Sequence, residues 1–68
     1  MYTVDARGLS CPEPLIMTQE AMKKHANEQI KVLVSEVHTR DNVEKFAKNQ
    51  KRSVSISQNG HEFELLIQ

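Results

Sequence analysis

Apolar and polar residues alternate in several short segments, a pattern typical of β-strands. Ile30-Lys31-Val32-Leu33-Val34 places its first, third and fifth side chains on one apolar face. The segment from Phe63 to Ile67 repeats that period. Weaker alternation predicts a first strand over Tyr2 to Val4 and a third strand around Val54 and Ile56. The pattern therefore predicts four strands.

A helical period of 3.6 residues runs from Leu15 to about Ala26. Its apolar stripe comprises Leu15, Met17, Thr18, Ala21, Met22 and Ala26. Ile16 falls outside this stripe, among polar residues, and is predicted to face solvent.

A second, shorter helix is predicted to start at Asp41. Asp41 is followed three residues later by Glu44, which resembles a capping box with Asp in the place of Ser or Thr. The helix face that follows is formed by Val43, Phe46, Ala47 and Gln50.

Turn signals separate these elements. Gly8 lies in a loop and is free to adopt positive φ, and Asn59-Gly60 favours a type I′ hairpin turn. The predicted order is β-α-β-α-β-β, an α+β two-layer sandwich in which both helices cover one face of a mixed four-stranded sheet. Residues 1–68 are interpreted as a single domain. The residues predicted for the uncovered face are Thr3, Lys31, Ser55, Glu62 and Glu64.

Composition narrows the classes of function. Nine basic and nine acidic residues cancel, so a nucleic-acid partner is not expected. No apolar run approaches the ~20 residues of a membrane span, and no secretory signal is visible. One cysteine without a partner favours a reducing compartment, with the cytoplasm as the expectation. Neither a metal site nor a cofactor is expected, because no Cys/His cluster has ligand spacing.

Cys11 is the candidate reactive group. It precedes Pro12, which suits the first position of a helix, so Cys11 is predicted to be the N-cap. A helix N-terminus stabilises a thiolate, the nucleophilic form of cysteine. The negative charge of Glu13 opposes ionisation, and Arg7 would offset that charge if the loop folds back. The alternative interpretation is a small buried apolar residue, the more common role of a lone intracellular cysteine.

The segment Asp5-Ala6-Arg7-Gly8-Leu9-Ser10-Cys11-Pro12-Glu13-Pro14-Leu15 resembles the signature of the TusA/SirA-like sulfur-carrier family. The core of that signature is Cys-Pro-x-Pro after a Gly-Leu pair, and the resemblance extends over nearly the whole chain in length and element order. It implies a sandwich like the C-terminal domain of bacterial translation initiation factor three.

The resemblance also implies a function. Cys11 would accept a sulfane sulfur as a persulfide from a cysteine desulfurase or a rhodanese-like donor and pass it to the next protein of a relay. Pro12 and Pro14 would shape the turn, and the remaining residues that match the motif are Asp5, Arg7, Gly8, Leu9 and Glu13. After the second strand, the sequence keeps Thr39-Arg40-Asp41 but has Ser35-Glu36-Val37 where better-known members have an acidic-acidic-Pro run.

Two further functions stay open at this point. One is a non-catalytic module that binds a protein or RNA, and the other is a redox-sensing thiol. A thioredoxin-like cycle is not expected, because it requires a second, resolving cysteine.

Other residues are assigned more local roles. Ile16 is a candidate contact for a protein partner. His25 lies near the end of the first helix, whereas His38 or His61 would have to lie beside Cys11 to activate it. The basic residues Lys48, Lys51 and Arg52 are interpreted as a solvated face.

Overall fold

The alternating segments assemble into a sheet, and the helical segments pack against it. The computed structural model describes residues 1–10 and 12–68. Within these residues the chain forms four strands and two helices in the predicted order. Their bounds are β1 Tyr2–Asp5, α1 Glu13–Lys24, β2 Ile30–Val34, α2 Val37–Asn49, β3 Val54–Asn59 and β4 Glu62–Ile67.

The sheet is mixed, with strand order β1-β2-β4-β3. β1 runs parallel to β2, with Val4 opposite Val32. β4 is antiparallel to both of its neighbours, so that Leu65 lies opposite Val32 on one side and Ile56 on the other. The α+β fold and the mixed four-stranded sheet predicted from the sequence are confirmed.

The core lies between the sheet and the two helices. Alternate residues of β2 and β4 supply most of its large side chains, because every second residue of a strand faces the same side. The buried apolar residues are Val4, Ala6, Ala21, Met22, Ile30, Val32, Val34, Val43, Ala47, Phe63, Leu65 and Ile67. Every buried side-chain nitrogen or oxygen in the described part of the chain has a hydrogen-bond partner.

The opposite face of the sheet carries the residues predicted for it. Thr3 and Ser55 are exposed, whereas Lys31, Glu62 and Glu64 are half-buried. Lys31 and Glu64 form an ion pair across the β2–β4 ladder, with 3.6 Å between Nζ and Oε1.

The apolar period predicted for α1 runs from Leu15 to about Ala26, whereas the helix comprises Glu13–Lys24 and so ends about two residues earlier. Its buried residues are Pro14, Thr18, Ala21 and Met22, spaced by about one helical turn, so the stripe is centred differently from the predicted one. Leu15 is only half-buried, and Ala26 is exposed beyond the end of the helix. Ile16 is 45% exposed, which confirms its place on the polar face.

The predicted start of α2 at Asp41 is wrong. α2 begins at Val37 with Glu36 as its N-cap, so Asp41 is its fifth residue. The added turn is held by tertiary contacts: Thr39 is buried, and the Arg40 guanidinium lies 4.8 Å from the centroid of the Phe63 ring. Asp41 accepts hydrogen bonds from Arg40 instead of capping the helix.

The predicted type I′ turn at Asn59-Gly60 is also wrong. Asn59 pairs with Glu62 as the last residue of β3, so the two turn residues are Gly60 and His61. Among the described residues, positive φ occurs at Gly8, Lys51 and Gly60. A single positive φ at the first turn position is the pattern of a type II′ hairpin.

The guanidinium of Arg52 joins three segments at the edge of the sheet where β1 and β2 begin. It donates to the backbone carbonyls of Ala26, Glu28 and Gln68 over 3.3, 2.9 and 2.7 Å. The loop after α1 and the end of β4 are therefore held together by one side chain.

Candidate functional site

The described residues of the predicted motif lie at or next to the edge of the sheet where β1 and β2 end. Two loops connect these parallel strands to α1 and α2, one covering residues 6–12 and the other covering Ser35 and Glu36. The β3–β4 hairpin turn lies at the same edge, because β4 is antiparallel to β2 and pairs Phe63 with Val34.

The loop after β1 starts with a tight turn. The Leu9 N–H donates to the Ala6 carbonyl over 3.2 Å, and Gly8 has a φ of +80°. Positive φ at the third residue is what a type II turn requires, and glycine adopts it without steric cost. Ala6 is buried and Leu9 packs against the core, so the first and last residues of the turn anchor it to the core.

A hydrogen bond joins the two loops. The Gly8 N–H donates to Ser35 Oγ over 3.0 Å, and the Ala6 N–H donates to the Leu33 carbonyl over 2.8 Å. Ser35 is therefore a site residue that the sequence analysis did not assign. Its signal was its place in the segment that departs from better-known members of the resembled family.

Asp5 and Arg7 form an ion pair on the uncovered face of the sheet. Arg7 donates to Asp5 through its backbone N–H, Nε and Nη2 over 3.2, 2.9 and 2.8 Å, and its Nη1 lies 3.4 Å from an oxygen of Glu62. The hydrogen bonds from Arg7 lower the pKa of Asp5 to about 2. The same contacts raise the pKa of Arg7. The Arg7 charge is thus held by Asp5 and Glu62, on the sheet side of the loop.

The start of α1 differs from the prediction by one residue. Pro12 is the N-cap, with φ −96° and ψ 6°, and Glu13 is the first helical residue. The prediction that Pro12 occupies the first helical position is therefore wrong, and the N-cap assigned to Cys11 belongs to Pro12. Cys11 itself lies outside the described residues.

The backbone around this helix start is closed by local hydrogen bonds. The Glu13 N–H donates to the Ser10 carbonyl over 3.2 Å, and the Ile16 N–H donates to the Pro12 carbonyl over 3.0 Å. Pro14 is buried, and its carbonyl accepts a 2.8 Å hydrogen bond from Thr18 Oγ1. Ser10, Pro12 and Glu13 are all exposed. Buried residues thus anchor the motif, whereas Ser10, Pro12 and Glu13 are accessible to solvent.

The histidines lie in different places. His25 stacks on Tyr2 with ring centroids 4.1 Å apart and pairs with Glu28 at the far end of α1. His38 lies in the first turn of α2 and His61 in the hairpin turn, and both are exposed. Both lie at the same edge of the sheet as the loop between β1 and α1, residues 6–12, which we call the motif loop. The predicted alternative of a Cys–His pair involves Cys11 and so falls outside the described residues.

A groove of about 640 Å³ lies between α1 and α2. It extends from Ile16 in α1 to Ala26 just beyond that helix, and Met22 and Phe46 supply apolar lining. Val37 adds a second exposed apolar side chain at the start of α2, with 51% of its surface accessible.

No group of three or more His, Cys, Asp or Glu side chains is placed to hold a metal ion in residues 1–10 and 12–68. Neither helix formed by these residues has the length and apolar character needed to cross a bilayer.

Comparison with known proteins assigns this arrangement to a family. The family model described as Sulfurtransferase TusA matches residues 2–68. The chain belongs to the TusA sulfurtransferase family. The crystal structure of a SirA-like protein from Desulfitobacterium hafniense superposes with a TM-score of 0.91 at 27% identity, over 98% of this chain and 95% of that one.

The TusA match covers the motif loop, both helices and the whole sheet. Members of the TusA family work in sulfur relays with protein partners. The resemblance seen in the sequence is therefore confirmed, and a sulfur-carrier role is supported by both the family and the fold.

Proposed function

We propose that this TusA-family chain is a sulfur carrier that holds a sulfane sulfur on Cys11 as a persulfide within a relay. The Cys11 thiolate attacks the outer sulfur of a donor persulfide. A new S–S bond forms on Cys11, the donor S–S bond breaks, and the donor leaves as a thiolate. A thiol of the acceptor then takes the outer sulfur by the same exchange, so each transfer uses one cysteine of this chain.

The observation that carries this proposal is the setting of the motif loop. Ala6, Leu9 and Pro14 anchor it to the core, while Ser10, Pro12 and Glu13, on both sides of the cysteine, are exposed. A relay requires a thiol that another protein's sulfur can reach, and an anchored loop with an exposed tip meets that requirement. Such chemistry also requires a reducing compartment, which we propose is the cytoplasm.

The motif residues have distinct proposed roles. Gly8 allows the turn, Leu9 and Pro14 anchor the loop, and Pro12 caps α1. Asp5 and Arg7 tie the end of β1 to β4 through Glu62, and Glu13 closes the turn by donating to Ser10. Together, these residues position the segment that contains Cys11.

Intact-mass spectrometry tests the reaction. The reduced protein is incubated with a small-molecule persulfide donor, and we expect a gain equal to the mass of one sulfur atom, removed again by a thiol reductant. Cys11→Ser must show no gain. A third variant, Ser10→Cys combined with Cys11→Ser, moves the thiol by one residue and should load more slowly. Equal loading of the native protein and Cys11→Ser would exclude the proposal.

A protein donor is proposed to contact Ile16. Ile16 lies one turn into α1 and opens the groove that Met22 and Phe46 line, so an apolar side chain of a donor can be buried there. Ile16→Glu should therefore slow loading from a cysteine desulfurase or rhodanese-like protein and leave loading from a small persulfide unchanged. Gln29→Glu adds the same charge at an exposed position outside the groove and is the matched control. A slowdown with both kinds of donor would argue against a docking role.

A further inference from the structure

β3 forms an outer edge of the sheet, next to β4 and with no strand on its other side among the described residues. Five of its six residues are exposed, from Ser55 to Asn59. Ile56, at its centre, keeps 37% of its surface accessible although its side chain is on the helix-covered face, opposite Leu65.

The ladder register defines which backbone groups of β3 point outward. A two-residue hairpin makes Asn59 and Glu62 a hydrogen-bonded pair, and hydrogen-bonded pairs then recur at every second residue. The Gln68 N–H donates to the Ser53 carbonyl over 2.8 Å, which continues the same alternation. Val54, Ile56 and Gln58 therefore direct their N–H and C=O groups away from β4.

The sequence of β3 lacks the features that normally protect an edge strand. Val54-Ser55-Ile56-Ser57-Gln58-Asn59 contains no charge, proline or glycine. Natural edge strands are usually short, charged, bulged or interrupted by proline, because free backbone groups are a template for another strand. The other edge strand, β1, has four residues and ends in the charged Asp5.

We propose that β3 pairs antiparallel with β3 of a second copy of this chain, about a two-fold axis at Ile56. In this register Ile56 pairs with Ile56 of the second copy, and Val54 pairs with Gln58. Each of these pairs exchanges both of its backbone hydrogen bonds. A two-fold axis requires a self-complementary strand, and an uncharged strand meets its own copy without repulsion between like charges.

The charges that flank β3 favour the antiparallel direction. Lys51 lies just before β3, whereas the hairpin end carries Glu62, which belongs to a cluster with Asp5 and Arg7 that has a net negative charge. Antiparallel pairing brings the basic end of one copy to the acidic end of the other, and parallel pairing would place Lys51 beside its own copy.

The proposed dimer leaves both motif loops accessible, because they follow β1 at the two outer edges of the joined sheet. This inference is independent of the sulfur-carrier proposal.

Sedimentation of the reduced protein tests the pairing, with reductant present so that Cys11 cannot form a disulfide. From low micromolar to millimolar concentration, we expect a reversible monomer–dimer equilibrium. Amide hydrogen exchange measured over the same series should show protection rising at Val54, Ile56 and Gln58. A monomer at all concentrations, or a dimer in which these three amides stay unprotected, would overturn the proposal.

Two variants at one position separate the backbone from the side chain. Ile56→Pro removes the outward N–H and no hydrogen bond to β4, so it should raise the dissociation constant of the dimer by about tenfold or more. Ile56→Ala loses the same apolar side chain but keeps the N–H, and should raise the constant by about threefold or less. Equal constants for the two variants would contradict the proposal.

Circular dichroism verifies that both variants are folded. If Ile56→Pro does not fold, the double variant Ser55→Lys/Ser57→Lys replaces it, because the proposed register sets Ser55 opposite Ser57 of the second copy. Like charges would then face each other at both places, and the dimer should be lost. A dimer that survives the double variant would overturn the pairing.

Discussion

The two junctions that connect a parallel strand to a helix lie at the same edge of the sheet but are built differently. The β2–α2 junction is two residues long and has an extended N-cap, Glu36, with φ −123° and ψ 146°. The β1–α1 junction covers residues 6–12 and contains a type II turn, a proline N-cap and the cysteine proposed to carry sulfur.

The difference in length between the two junctions shows that the β1–α1 connection is longer than the fold requires. Both junctions make the same reversal of chain direction, so the additional residues after β1 are not needed for topology. Buried Ala6 and Pro14 and half-buried Leu9 hold the longer loop, and Ser35 of the short junction accepts the Gly8 N–H. The short junction therefore acts as a support for the long one.

The largest effect should come from breaking the sheet that supports both junctions. Leu65 is fully buried between Val32 and Ile56, and Leu65→Ala should lower the free energy of unfolding by about 3 kcal/mol. Chemical denaturation measures this loss. Sulfur loading per folded molecule should stay native, because the loop is unchanged once the protein is folded, and a specific loss of loading would show that the core tunes the site.

A smaller effect should separate the motif turn from the hairpin turn. Gly8 and Gly60 both have positive φ, and the space that an added Cβ would occupy is open at each of them. Gly8→Ala and Gly60→Ala should therefore each lower the free energy of unfolding by about 1–2 kcal/mol through backbone strain alone. Only Gly8→Ala should also slow persulfide loading, since it alone distorts the loop before Cys11. Equal loading by both variants would mean that the turn does not position the thiol.

Removing the link between the junctions should cost less. Ser35→Ala deletes the acceptor of the Gly8 N–H and should lower the free energy of unfolding by about 0.5–1 kcal/mol. Amide exchange at Gly8 should become faster, and loading should slow modestly. Ser35→Thr keeps the hydroxyl and should restore both properties, whereas an unchanged Gly8 exchange rate in Ser35→Ala would show that the bond is not formed in solution.

The smallest effect should be seen in acid. The folded pKa of Asp5, about 2, is below its ordinary value of 3.8, so its pairing with Arg7 stabilises the fold above about pH 4 and is lost as the pH falls towards 2. Across that range, the melting temperature of the native protein should converge on that of Asp5→Asn. Glu62→Gln removes the other carboxylate that contacts Arg7, keeps Asp5, and is the comparison variant. A carboxyl titration of Asp5 near pH 3.8 would refute the interpretation.

Periodicity was sufficient to predict the scaffold. β2 was predicted residue for residue, and the element order, the helix-covered face and the exposure of Ile16 all followed from apolar spacing. These features depend on which side chains are buried together in the core, and the spacing of apolar residues along the sequence specifies those side chains.

The local signals were less reliable where tertiary contacts decided the outcome. Asp41 and Glu44 resembled a cap, but burial of Thr39 and stacking of Arg40 on Phe63 extend α2 by a turn. Asn59-Gly60 favoured a type I′ turn, but the observed register places Gly60 first in the turn and pairs all of β3 with all of β4.

The sequence marked the segment that contains Ser35, but the contact that Ser35 makes could not have been derived from it. The Ser35 hydroxyl matters because Gly8 lies opposite it across 27 positions of the chain, and no spacing rule connects the two. The role proposed for Cys11 rests on the resemblance, whereas the structure supplies the roles of the residues that anchor the loop around it.

The edge that carries Arg52 has a practical consequence for handling the molecule. β1 starts and β4 ends at this edge, so Met1 and Gln68 both lie away from the loop that precedes α1. A tag, a surface attachment or a fused domain at either terminus would therefore leave the loop between β1 and α1 facing outward. Protein immobilised in this way can be used to test for the proposed donors and acceptors.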